Sequence, residues 1–315
     1  MTTTHLALVG PTASGKSAVA LAVARELGDV EIVSVDSMQG YRGMDIGTAK
    51  PSAGDRASVP HHLLDIADPA EDLNVARYQE LARTAVADIA GRGKRALLVG
   101  GTGLYFQAVV DDLHFPGEDL ELRAALERRT AGPGGVADAY TDLERLDPLA
   151  ASRIDPHNVR RIVRALEVIE LTGEPFSSFG PGVQTFGPTA FPVHTVGLWL
   201  PRELLATRIA ERVAVMRERG LWAEVERLRR LPAWSRTARQ AIGYKEILDV
   251  LDRGNGDAAP DATAVDEAFE TISRRTRSFA RRQRMWFRRD PRITWVGTAG
   301  NPCSRVGAVL ALWRR

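Results

Sequence analysis

Residues Gly10-Pro-Thr-Ala-Ser-Gly-Lys-Ser17 match the spacing G-x-x-x-x-G-K-[ST] at every fixed position, and few folds can use such an octapeptide. The apolar run Leu6 to Val9 leads into it and predicts a buried strand. The alanine-rich amphipathic stretch Ala18 to Leu27 leads out and predicts a helix closed by Gly28. Strand, glycine-rich loop and helix N-terminus in that order make a phosphate cradle. Its N–H groups and the positive helix end favour a di- or triphosphate. Gly10, Pro11, Thr12, Ala13, Ser14, Gly15, Lys16 and Ser17 are its candidate ligands. Lys16 is expected to reach the terminal phosphate oxygens and Ser17 to hold a Mg²⁺ bridging them.

Two further strands end in conspicuous loops. Glu31 to Val35 predicts a buried strand that runs into Asp36-Ser-Met-Gln39, and Arg95 to Val99 predicts another that runs into Gly100-Gly-Thr-Gly-Leu-Tyr105. In open parallel sheets ligands bind beyond the carboxyl ends of the strands, so Asp36 and Thr102 are expected to face the same crevice as the cradle. Taken alone, the second glycine turn also reads as a tight strand-to-helix connection. The expected class is α/β, a P-loop NTPase-like core with a parallel β-sheet flanked by helices. Tyr41 to Pro51 has no periodicity and predicts a loop near the site. His61 and His62 lack an i, i+4 partner or a cysteine, so a structural or hydrogen-bonding role is expected rather than metal binding.

At 315 residues the chain exceeds one average domain, and its character changes past Asp111. Pro116-Gly117, a charged helical segment from Asp119 to Arg129 and the break Ala131-Gly-Pro-Gly-Gly135 predict an insertion. The expected organisation is a discontinuous core, 1–117 and 194–315, around a mainly helical domain, 118–193. Within it, His157 to Leu171 predicts a helix whose apolar face leaves Arg160, Arg161 and Arg164 outside, on a surface either solvated or phosphate-binding. The stretch 172–192 reads as a long flexible return. His194 to Leu200 then predicts a strand, and a helix follows Pro201 with Leu205, Ile209, Val213 and Met216 as its buried stripe. Its Arg208 and Arg212 either reach over the phosphate site or pair with surface acids such as Glu211. A linker is expected from Arg253 to Pro260.

Net charge is only +2, yet nine arginines crowd between Thr271 and Arg292 against the single acid Asp290. Arg274, Arg277, Arg281, Arg284 and Arg288 are spaced 3, 4, 3 and 4, which places them on one helical stripe opposite Ile272, Phe279, Trp286 and Phe287. A solvated helix usually mixes Glu with Arg, so this stripe, Arg281 and Arg284 included, predicts contact with a nucleic-acid backbone. Ile293 to Val296 predicts an edge strand. The single cysteine, Cys303, excludes a disulfide framework and a thiolate zinc cluster. No apolar run approaches the ~20 residues of a membrane span, and the N-terminus lacks a basic region, so a cytoplasmic protein is expected.

Together these stretches resemble the bacterial tRNA dimethylallyltransferase (tRNA isopentenyltransferase) family. The resemblance spans nearly the whole chain. It is carried by the cradle, Asp36-Ser-Met-Gln39, Gly43-Met-Asp-Ile-Gly-Thr-Ala-Lys-Pro51, Gly100-Gly-Thr-Gly-Leu-Tyr105, Asn158-Val-Arg-Arg-Ile-Val-Arg-Ala-Leu-Glu167, Ala241-Ile-Gly-Tyr-Lys-Glu246 and Arg282-Gln-Arg-Met-Trp-Phe-Arg288. It implies transfer of a dimethylallyl group from its diphosphate to the exocyclic amine of adenosine at position 37 of tRNAs reading codons that begin with U. Asp36 is then the general base, with Thr102 beside it; a Mg²⁺-ligand role for Asp36 is the competing reading. Lys16, the loop N–H groups, Mg²⁺ on Ser17 and Arg212 stabilise the departing pyrophosphate. By the same resemblance Asp36, Ser37, Met38, Gln39, Thr102, Arg123 and the residues around Arg160, Arg161 and Arg164 contact the anticodon stem-loop. A monomer is expected, with no membrane partner. Gly40 departs from the family, which usually carries a branched apolar residue there, and a looser loop beside Asp36 is expected. The tail after Val296 matches no familiar pattern. An ATP-dependent kinase, an adenylate isopentenyltransferase and a non-catalytic tRNA-binding module are the rivals.

Overall fold

Short apolar runs without polar alternation suit strands covered on both faces. The inner strands are of this kind, and among the described residues six strands form: His5–Val9 (β1), Val30–Val35 (β2), His61–His62 (β3), Arg95–Gly100 (β4), Val193–Trp199 (β5) and Thr294–Gly297 (β6). They belong to a computed structural model describing residues 4–180, 182–253 and 261–313. Of the linker expected from Arg253 to Pro260, Arg253 ends the helix Tyr244–Arg253 and the rest, 254–260, lies outside the described residues. All pairings are parallel, in the order β3-β2-β4-β1-β5-β6. The chain leaves β1 toward β2 on one side and leaves β4 toward β5 on the other. A sheet opens a ligand crevice where its connections diverge in this way.

Two apolar layers cover the sheet. On one face lie Tyr78, Val86 and Ile89 of the helix Val75–Gly91, the stripe Leu205, Ile209, Val213 and Met216 of the helix Arg202–Glu218, and Ile272 and Phe287 of the helix Ala262–Phe287. On the other lie Val19 and Val23 of the helix Lys16–Leu27, with Val309, Leu310 and Trp313. The last three belong to the tail. It forms a 3-10 turn, Pro302–Arg305, and a helix, Val306–Trp313, packed on the helix Lys16–Leu27. Strand ends approach so closely that only glycine fits: a β-carbon on Gly100 would lie 2.1 Å from the Val35 carbonyl oxygen, and one on Gly10 would lie 2.4 Å from that of Leu198.

This first unit comprises 1–111 and 188–315, and the second comprises 112–187. The sequence-based limits, 118–193, run later at both ends. The reason is backbone pairing: Ala190 N donates to the Val110 carbonyl at 2.8 Å and His5 N to that of Pro192 at 2.9 Å, which ties 188–193 to the sheet unit. The second unit is helical, with Leu126, Leu143, Ile162 and Leu166 in its own core. The expected flexible return is anchored, since Ser177 donates through N and Oγ to the Asp147 carboxylate at 2.7 and 2.8 Å.

Gly40 does not loosen its loop. It is buried at the end of the 3-10 turn Ser37–Gly40, and its carbonyl accepts from Ile66 N and Ala67 N. Leu73 fills the space a branched residue would take, with Cδ2 at 2.7 Å from a β-carbon built on Gly40. Gly40→Val is therefore expected to cost about 1–3 kcal/mol by overpacking. Combining it with Leu73→Ala should cost less than the sum of the two in denaturant unfolding; strict additivity would refute the contact.

Candidate active site at the strand ends

In the register of the sheet, Val9 and Val35 both lie opposite Gly100, so Gly10, Asp36 and Gly101 begin their loops at one level. The loop after β1 turns through Gly10 (φ 142°), Ala13 (φ 61°) and Gly15 (φ 90°). Gly15 caps the helix Lys16–Leu27 without any side-chain bond, which leaves the first helical N–H groups facing the loop. Lys16 Nζ donates to the carbonyls of Gly10 and Pro11 at 2.8 and 2.7 Å. Burial brings its ammonium down to about 7, with Asp36 acting against the shift and Arg212 with it. Ser17 is exposed on the first helical turn.

Asp36 continues β2 and caps the turn Ser37–Gly40, accepting from Met38 N at 3.1 Å. Burial pushes its carboxyl up, against the Met38 N–H and the positive charges of Lys16 and Arg212. Arg212 projects from the helix Arg202–Glu218, where burial lowers its guanidinium and Asp36 sustains it. One carboxylate and two cations, each partly desolvated, thus lie within electrostatic reach of one another. Thr102 caps the helix Gly103–Val110 with its backbone only, so its hydroxyl makes no capping bond.

Several supporting groups stand outside the candidate site residues read from the sequence. Gln283, from the arginine-rich helix, reaches both glycine turns. Tyr78 donates to the Ser34 carbonyl at 2.5 Å, beneath Asp36. Thr298 Oγ1 bonds the Ser14 carbonyl at 3.4 Å, and the Pro302 ring lies where a β-carbon on Gly15 would be, so the unassigned tail backs the cradle. Buried Glu224 accepts from Asp45 N, Ile46 N and the Tyr244 hydroxyl at 3.2, 2.9 and 2.6 Å, which pins the 41–51 loop. These partners are distant in sequence, so no local pattern shows the pairings, although Gln283 and Tyr244 stand within the stretches 282–288 and 241–246 that carry the family resemblance.

A family model described as IPP transferase matches residues 39–290, and another, isopentenyl transferase, matches residues 3–65. The chain belongs to the IPP transferase family. It is 48% identical over 302 residues to a tRNA dimethylallyltransferase of Bifidobacterium longum, covering 94% of this chain and 87% of that one. The solved full-length tRNA isopentenylpyrophosphate transferase of Bacillus halodurans is 37% identical with a TM-score of 0.68, covering 99% of this chain and 97% of that one. A eukaryotic dimethylallyltransferase acting on tRNA is 25% identical with a TM-score of 0.77, over 98% of this chain and 77% of that one.

In this IPP transferase family member the structure divides the expected tRNA contacts. Ser37 is buried, Met38 is half-buried, and the Gln39 amide is spent internally: Oε1 accepts from Ser34 Oγ at 2.8 Å and Nε2 donates to the Thr48 carbonyl at 3.1 Å. Arg123 and Arg164 are not a free guanidinium surface. Both grip Glu167, which is buried, at 2.8 and 3.0 Å, and Arg164 also donates to the carbonyls of Pro116 and Gly117. Those bonds outweigh burial and hold the Glu167 carboxyl down. Arg160 and Arg161 are exposed beside them. On the helix Ala262–Phe287, Arg281 is exposed and Arg284 half-buried; Phe279, placed on the inner face by spacing, is only half-buried, with the Arg282 guanidinium 5.8 Å from its ring centre. Arg208 does not join Arg212 but donates to the Gly300 carbonyl at 2.5 Å. His62 pairs with Glu31 at 2.6 Å and His61 with the Val59 carbonyl at 2.7 Å, the structural roles expected of them. Among the described residues no three His, Cys, Asp or Glu side chains converge on a metal position, and no helix is long and apolar enough to cross a membrane.

Proposed function

We propose that this protein transfers the dimethylallyl group of dimethylallyl diphosphate to the exocyclic amine of adenosine 37 in tRNAs that read codons beginning with U. What carries the reading is that Asp36 and the glycine-rich loop with Lys16 begin at one level of the sheet edge, with Lys16 and Arg212 within electrostatic reach of the Asp36 carboxyl. A diphosphate ester needs no nucleotide to fill that cradle.

As the carbon–oxygen bond breaks, charge builds on the leaving pyrophosphate, and Lys16, Arg212 and the loop N–H groups stabilise it. The amine nitrogen of adenine bonds to the allylic carbon and passes a proton to Asp36, whose raised basicity suits it to accept one. Thr102 offers its hydroxyl beside it. Ser17, with phosphate oxygens and water, suits Mg²⁺, an ion that takes few protein ligands in phosphate sites. Bound there, Mg²⁺ would neutralise charge on the diphosphate oxygens. The base leaves the anticodon-loop stack to reach the crevice. Arg281 and Arg284, and on the second unit Arg160 and Arg161, contact backbone phosphates.

Incubation with Mg²⁺, dimethylallyl diphosphate and unmodified tRNA, followed by nucleoside mass spectrometry, should yield an adenosine heavier by one dimethylallyl group. Unmodified tRNA with ATP consumed instead would favour a kinase. Arg281→Ala should weaken tRNA binding and flatten the slope of log Kd against log salt by about 1; an unchanged slope would remove Arg281 from the phosphate contacts.

A further inference from the structure

Gln283 lies on the inner face of the helix Ala262–Phe287, flanked in sequence by Arg282 and Arg284. It is 6% exposed, and both ends of its amide are engaged. Thr12 N donates to Oε1 at 2.8 Å, and Nε2 donates to the Gly101 carbonyl at 2.9 Å. Thr12 belongs to the phosphate cradle, while Gly101 immediately precedes Thr102. The seat is tight, since a β-carbon on Gly101 would lie 2.4 Å from Nε2. Two neighbours on the helix reinforce it: the Trp286 indole would meet a β-carbon on Gly103 at 2.2 Å, and Phe287 meets Phe106 edge-on at 5.8 Å.

Only an amide closes this bridge, because one end must accept from an N–H and the other must donate to a carbonyl. A methionine leaves both backbone groups unpaired. A glutamate satisfies Thr12 and repels the Gly101 carbonyl. The outer side of the same helix carries the exposed arginines, so the element that would hold tRNA phosphates also holds the two catalytic turns together.

We infer that Gln283 is a positioning residue that locks the phosphate cradle to the turn carrying Thr102, and that through it tRNA held on the outer arginines strengthens diphosphate binding. The second half rests on the function proposed above. By linkage, the diphosphate strengthens tRNA binding by the same factor.

The test is calorimetry of Mg²⁺-pyrophosphate on wild type, Gln283→Met and Gln283→Glu, each with and without an anticodon stem-loop RNA. Without RNA, Gln283→Met should bind pyrophosphate about tenfold more weakly while binding RNA alone as wild type does. With RNA, wild type should gain about fivefold or more in pyrophosphate affinity, Gln283→Met should gain nothing, and Gln283→Glu should fall between. Single-turnover prenyl transfer by Gln283→Met should slow about tenfold or more at saturating substrates. Unchanged pyrophosphate binding in Gln283→Met would overturn the positioning role. An equal RNA-induced gain in wild type and variant, or none in wild type, would overturn the coupling. If Gln283→Met does not fold, Gln283→Glu decides, because it keeps the Thr12 bond; wild-type behaviour in it would overturn both. A wild type that binds pyrophosphate and RNA but transfers no prenyl group would refute the proposed reaction and leave the pyrophosphate result standing.

Discussion

Asp36→Asn is expected to lower turnover by about 10²- to 10⁴-fold, the span that a positioned general base contributes. The substitution keeps the shape of the side chain and the oxygen that accepts from Met38 N, so the turn Ser37–Gly40 should survive. It removes a charge from a position where burial already raises the carboxyl, so thermal stability should hold or rise. The loss should therefore fall on the chemical step, with tRNA affinity little changed, as read in single-turnover prenylation and a separate filter-binding measurement. Turnover within about tenfold of wild type would exclude Asp36 as the base. Rescue of the variant by high Mg²⁺ would instead assign Asp36 to the metal.

Removing the cradle's cation comes second. Lys16→Met should reduce turnover by about 10²- to 10³-fold, as when one preorganised donor to a developing oxyanion is lost. The wild-type pH profile carries a linked signature. Lys16 is lowered to about 7 in the free enzyme, so it is charged below that value and neutral above it. Asp36, raised above the ordinary carboxylate range, must be ionised to accept a proton. The kcat/KM for dimethylallyl diphosphate reports the free enzyme. It should rise through the Asp36 titration and fall above about pH 7. In the complex the diphosphate charge restores the ammonium, so the alkaline limb of kcat should move to higher pH. A kcat/KM that stays flat well above pH 7 would mean that the Lys16 ammonium is not needed to bind the substrate. The stability sign is opposite to that of an ion pair. A lysine whose folded value lies below its unfolded one destabilises the fold as pH drops toward about 7, a cost that a bound diphosphate removes.

The parts of this site that were legible in the sequence are those made by neighbours along the chain. A cradle of eight residues between a strand and a helix, an aspartate ending one strand and a glycine turn ending another are local patterns, and a parallel sheet brings such ends to one edge. The arginine stripe was likewise a matter of spacing on one helix. The same locality explains the errors. Arg164 looked like part of an outward row because the wheel does not show Glu167 one turn on drawing it, with Arg123, into a buried ion pair. Gly40 looked like a weakness because Leu73, which fills its space, lies far along the chain.

The sequence by itself determined that a glycine-rich strand-to-helix loop, a strand-end carboxylate and a basic helix exist, because each needs only contiguous residues in a given conformation. Which groups hold them in working geometry was decided only by the tertiary structure. Gln283 meets Thr12 across 271 residues, and Thr298 meets Ser14 across 284. Desolvation, which sets the charge behaviour of Lys16, Asp36 and Arg212 together, depends on everything packed around them, and no stretch of sequence contains that.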